Sequence, residues 1–92
     1  MRLDKFLKVS RLVKRRTVAN ELCDSGNVAI NGKTAKAANN VEAGQELTLR
    51  FGNRVLTVAV VTVPDKAVPA QQASSLFETI SEHYTDKNQP GL

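Results

Sequence analysis

Apolar and polar positions along this 92-residue chain change period as it proceeds. Leu3, Phe6 and Leu7 recur at helical spacing and fall within an arc of roughly 100° at 3.6 residues per turn. Arg2, Lys5 and Lys8 occupy a neighbouring arc of roughly 120°. The first short helix therefore has one face for a core and one for a partner. Ser10 to Arg16 reads as a tight basic connector anchored by Leu12 and Val13. Thr17 reads as the N-cap of a second helix, its hydroxyl accepting from an orphan backbone N–H. Val18 with Leu22, and Ala19 with Cys23, lie four apart and predict its buried face. Asp24-Ser25-Gly26 ends it, with Gly26 suited to a left-handed C′ position.

The period then becomes two. Val28 and Ile30 share one face of an extended run that leads into Asn31-Gly32. Asn-Gly between two extended runs predicts a hairpin, because both central residues of a type I′ turn need positive φ. Lys33 to Ala38 is the weaker returning strand. Asn39-Asn40 and Ala43-Gly44 read as turns. Glu46 to Phe51 alternates, with Leu47, Leu49 and Phe51 on one face, and Gly52-Asn53 joins it to a β-branched run from Arg54 to Val63. Pro64-Asp65 ends the sheet, and Asp65 to Ala73 reads as linker. Leu76, Phe77, Ile80 and Tyr84 stand at three- and four-residue spacing, which predicts a helix over Ser74–Tyr84, with Asp86–Leu92 as a frayed end. The expected fold is α+β: an N-terminal helix pair packed on a small, mostly antiparallel β-sheet within residues 1–64, then a linker and helical tail over 65–92.

Charge sharpens this picture. The first sixteen residues hold seven basic side chains and one acid, a net +6, whereas the rest holds six basic and eight acidic. The overall +4 and sequence pI of about 9.6 thus hide a polarised molecule. A one-sign block interleaved with regularly spaced apolar residues predicts a folded polyanion-binding face. The lone Cys23 excludes an intrachain disulfide and a cysteine metal cluster, and fits a reducing, cytoplasmic setting. No apolar stretch approaches the roughly 20 residues that span a bilayer, and no uninterrupted apolar segment at the amino terminus suggests a secretory signal. No membrane partner is therefore expected.

A basic helix pair, then Gly26-Asn27-Val28 and Ile30-Asn31-Gly32, then Gly44 before a strand, form a specific combination. With Arg2-Leu3-Asp4-Lys5-Phe6-Leu7-Lys8, Arg11, Arg16-Thr17, Ala19, Lys36, Val41 and Leu47, the segment from Met1 to about Leu49 resembles the alpha-L RNA-binding domain found in ribosomal protein S-four. Gln45 departs from the acidic residue common there, a change expected to alter a turn and not the RNA face. The chain is most similar to free-standing members of this family that act in bacterial ribosome quality control, and more distantly to small heat-shock members. The resemblance implies a non-enzymatic factor that binds large-subunit rRNA and P-site peptidyl-tRNA. It also implies cooperation with an alanine-tailing factor of the NEMF family, no cofactor, and a monomer away from the ribosome. A heat-shock-type recycling factor is the alternative.

The chemistry of such binding constrains the candidate residues. Structured RNA is read mostly through phosphate positions and 2′-hydroxyls. Arginine grips a phosphate at two points, whereas lysine acts as a mobile point charge. Arg2, Arg11, Arg15 and Arg16 are the geometric candidates; Lys5, Lys8 and Lys14 add field; Asn31, Lys33 and Lys36 extend the surface through the hairpin. Asp4 is read as structural, favourable near the helix N-terminus and placed to orient an arginine. A DNA regulator fits poorly, because the second helix carries Glu21 and Asp24 and offers only Asn20 to base edges. An RNA-modifying enzyme lacks a nucleotide loop, a triad and a metal-ligand cluster. His83 and Cys23 are read as surface and core residues.

Overall fold

The computed structural model describes residues 1–66 and 68–84. Helices α1 (Leu3–Val9) and α2 (Arg16–Asp24) precede strands β1 (Val28–Ile30), β2 (Lys33–Thr34), β3 (Glu46–Phe51) and β4 (Arg54–Val60). A single turn α3 (Ala70–Ala73) and a 3₁₀ turn, Ser74–Leu76, lead into β5 (Phe77–Tyr84). The sheet is antiparallel throughout, in the order β2-β1-β3-β4-β5. The class is α+β, as the patterning implies, but β5 carries the sheet past the boundary expected at residue 64.

The core lies between the helix pair and one face of the sheet. Leu3, Phe6 and Leu7 of α1 are fully buried with Ala19 and Cys23 of α2 and with Leu47, Leu49 and Val58 of the sheet. The alternation in β3 and β4 puts Leu47, Leu49, Leu56, Val58 and Val60 inward. On the other face Thr48 and Thr57 are paired, with their hydroxyls 3.4 Å apart. Burial of Cys23, joined by the charges of Asp4 and Asp24, pushes its thiol up to about 11, which makes it a small core residue.

Local signals place these elements. The α2 terminus is a Schellman motif: Gly26 at φ +84° donates to the Cys23 carbonyl and Asn27 to that of Leu22. Asn31 and Gly32, at φ +51° and +85°, close the β1–β2 hairpin as a type I′ turn. Gln45 does shape a turn: its Oε1 accepts from the Glu42 N–H at 2.8 Å.

Several expectations need correction. Thr17 is not the N-cap of α2; Arg15 holds that position, and no side chain caps the helix. Val18 is 45% exposed, so the buried stripe is Ala19–Cys23 with Leu22 at its margin. The return strand stops at Thr34 and does not reach Ala38, because Ala35 and Ala37 turn into the core. From there residues 36–41 form a strap. The Leu3 and Asp4 N–H groups donate to the carbonyls of Asn39 and Ala37, so backbone from a distant segment fills the orphan positions that begin α1. Val41 N–H donates to Met1 O. At its other end the strap holds α2, where Asp24 Oδ1 accepts from Ala37 N–H at 3.0 Å.

The helix expected over Ser74–Tyr84 is a strand from Phe77 onward. Its apolar residues do not gather on a buried face: Ile80 is 51% and Tyr84 64% exposed. What β5 satisfies instead is the outer edge of β4, pairing from Val60–Phe77 to Arg54–Tyr84 with an irregularity between Thr57 and Val58. Unpaired backbone along β4 outweighs the weaker helical period. β4 ends at Val60, short of Val63, because the Val61 and Thr62 N–H groups both turn to the Leu76 carbonyl. The expected frayed end, Asp86–Leu92, lies outside the described residues.

Phe6→Ala is expected to cost about 3–5 kcal/mol of unfolding free energy, whereas Ile80→Ala changes it by less than about 0.5 kcal/mol. Urea denaturation of the two variants measures the contrast.

Candidate nucleic-acid interface

The site is organised by one buried acid. Asp4 stands in the first turn of α1 and is 2% exposed. Arg16 and Asn20 lie four residues apart on α2 and so share the face turned toward it. Arg2 precedes α1 and reaches the same carboxylate. Oδ1 accepts from Arg2 Nε at 3.2 Å and Arg16 Nη2 at 3.4 Å; Oδ2 accepts from Arg2 Nη2 at 3.4 Å and Asn20 Nδ2 at 3.3 Å. Burial alone would raise the Asp4 carboxyl. Hydrogen bonds from Asn20, Arg2 and Arg16, with the Arg16 charge added, outweigh it and hold the group below its ordinary value of 3.8.

The two arginines are anchored at one edge and open at the other. Their side chains are 48% and 47% exposed, against 3% for Asp4. The carboxylate thus fixes where the guanidinium planes point while their remaining N–H groups face solvent. A cleft of about 430 Å³ is lined by both arginines with Met1, Lys5, Val63, Pro64 and Asp65. Converging cations at a concave surface form a receptor for an anionic oxygen cluster.

The remaining sequence candidates divide into two groups. Lys8, Arg11, Lys14 and Arg15 are exposed along the end of α1 and the connector into α2. α2 has no acid in its first turn, so the partial positive charge of its N-terminus adds to these side chains. Arg11 adopts φ +67°, the left-handed position after α1 that glycine usually fills. Asn31, Lys33 and Lys36 lie apart from this group. Asn31 Oδ1 accepts from Glu46 N–H at 2.9 Å, which locks the hairpin to β3. Lys36 Nζ donates to the Asp24 carbonyl at 3.3 Å, at the C-terminal end of α2. That end is roughly 12 Å along the axis from Arg16. Lys33 is exposed on β2. Asn20 is the hub residue that the charge count did not single out; its i, i+4 relation to Arg16 was the available signal.

A model described as S4 domain matches residues 1–47. The chain is 47% identical over 89 residues to the RQC P-site tRNA stabilizing factor of Halalkalibacterium halodurans, covering 97% of this chain and all of the relative. It is 36% identical over its whole length to Heat shock protein 15 of Escherichia coli, covering 69% of that protein. The trimeric Heat shock protein 15 structure from Vibrio cholerae superposes with a TM-score of 0.79 at 33% identity, over 88% of this chain and 82% of that one. Among the described residues no helix is long and apolar enough to cross a membrane.

Two variants test the hub and its flank. The folded-state value of Asp4 lies below the unfolded one, so its contribution to stability is present above about pH 3.8 and lost as the pH falls through the depressed value. Asp4→Asn is therefore expected to lower Tm at neutral pH, with the gap to the parent narrowing below about pH 4. Melting curves at successive pH values read this out. Arg11→Gly is expected to raise stability by about 0.5–1 kcal/mol by relieving the left-handed backbone, while weakening RNA binding. Denaturant titration and an RNA-binding assay on the same variant separate the two effects.

Proposed function

We propose that this chain, which belongs to the S4 domain family, stabilises P-site tRNA on stalled large ribosomal subunits in bacterial ribosome quality control. The observation that carries the reading is the pair of half-exposed guanidiniums held in place by Asp4. The names of the relatives that match nearly its full length support the same assignment.

Folded RNA presents phosphates at fixed spacings across a shallow minor groove and hides its base edges in a deep major groove. A rigid array of arginines suits that target better than a flexible tail does. Arg2 and Arg16 grip phosphate oxygens with preset geometry, and Lys5 lies in the same cleft. Lys8, Arg11, Lys14 and Arg15 widen the contact and raise the association rate. Asn31, Lys33 and Lys36 form a secondary contact beyond the far end of α2. The protein acts in the cytoplasm by holding RNA rather than by breaking a bond. It cooperates with an alanine-tailing factor of the NEMF family, which carries out the chemistry on the nascent chain. The recycling alternative is weaker, because identity is 47% to the tRNA-stabilizing factor against 36% to Heat shock protein 15.

Arg2→Ala and Arg16→Ala are each expected to abolish co-sedimentation with large subunits carrying peptidyl-tRNA, while far-UV circular dichroism stays that of the parent. Normal co-sedimentation of both variants would overturn the reading. If about five phosphates are neutralised, the log–log dependence of binding on salt has a slope of roughly −3.5 to −4.5, measurable by titration at several salt concentrations.

A further inference from the structure

Arg16 also lines a second depression, which Lys5 does not line. It measures about 430 Å³ and is lined by Asp4, Arg16, Thr17, Asn20 and Glu21. Its chemistry differs from that of the cleft with Arg2. Asp4 is already saturated by Arg2, Arg16 and Asn20. Asn20 commits its Nδ2 to Asp4, which leaves its Oδ1 as an acceptor. Glu21 is exposed, and no ion pair among the described residues engages its carboxylate. The hollow thus offers the Glu21 carboxylate and Asn20 Oδ1 as open acceptors, with the Arg16 guanidinium in the same lining.

The Glu21 carboxylate makes this hollow less suited to a phosphate than the cleft with Arg2 and Lys5. An uncharged nucleobase is not disfavoured in this way. The volume exceeds that of several waters, each about 30 Å³ in the liquid, so it admits a ring system. Arg16 lines both hollows, so a base in one and a phosphate in the other would share this residue. Unpaired bases in RNA are commonly splayed into protein pockets and bound along their Watson–Crick edges. A carboxylate matches guanine best, because N1–H and N2–H lie side by side and suit its two oxygens. Adenine and cytosine present one exocyclic amino group each.

We propose that this depression holds an unpaired guanine, with Glu21 reading its Watson–Crick edge while Arg2 and Arg16 hold an adjacent phosphate. The proposal rests on the RNA-binding reading above and adds a base-specific contact to it. Glu21 then sets specificity, and the surrounding cations set affinity.

The test is kethoxal probing of large subunits carrying peptidyl-tRNA, because kethoxal modifies the N1 and N2 positions of unpaired guanines. The parent protein is expected to protect one guanine. Glu21→Gln is expected to co-sediment with the subunits and keep the parent's salt dependence, yet lose that protection. Co-sedimentation of the parent without any protected guanine would overturn the proposal and leave the RNA reading intact. The same follows if Glu21→Gln protects the guanine as the parent does. Failure of the parent to co-sediment at all would overturn both.

Discussion

A carboxylate withdrawn from water and met by three nitrogen-bearing side chains sets the geometry of this protein. Asp4 lies at the seam between α1 and α2, and each of its oxygens accepts from two donors. Removing a charge from solvent is expensive unless it is paired and hydrogen-bonded. That requirement turns one way only: it demands that Arg2, Arg16 and Asn20 converge. Two like charges that would repel each other are thereby held close together at the surface. The same interaction docks one helix against the other, so surface and fold share a single origin.

The hydrophobic core supplies the rest of the rigidity. Leu3, Phe6 and Leu7 leave α1 no freedom to rotate, because all three are fully enclosed. A rotation that exposed them would also carry Asp4 away from Arg16. The basic side chains therefore stand on a framework whose orientation is set from below. Near-parallel use of two faces of a seven-residue helix is possible because its apolar and basic residues occupy separate arcs.

Much of this was readable before any coordinates. The helix pair, the Asn31-Gly32 hairpin, the left-handed Gly26 and strand β3 follow from short-range patterns with strong physical causes. The role of Asp4 as an orienting acid was likewise anticipated from its place in the first turn. The failures share a different cause. Residues 77–84 carry apolar side chains at helical spacing, yet their conformation is decided by the vacant edge of β4, which is a tertiary fact. Lys33–Ala38 reads as a weak strand and Asn39-Asn40 as a turn, but Ala37 and Asn39 supply carbonyls to the start of α1. Local rules carry elements whose bonds close locally, and they falter where a backbone group finds its partner far along the chain.

The strap of residues 36–41 is tied to the last residue of α2 through Asp24 and starts α1 through Leu3 and Asp4. A substitution that displaced this strap would therefore disturb the beginning of one helix and the end of the other at once.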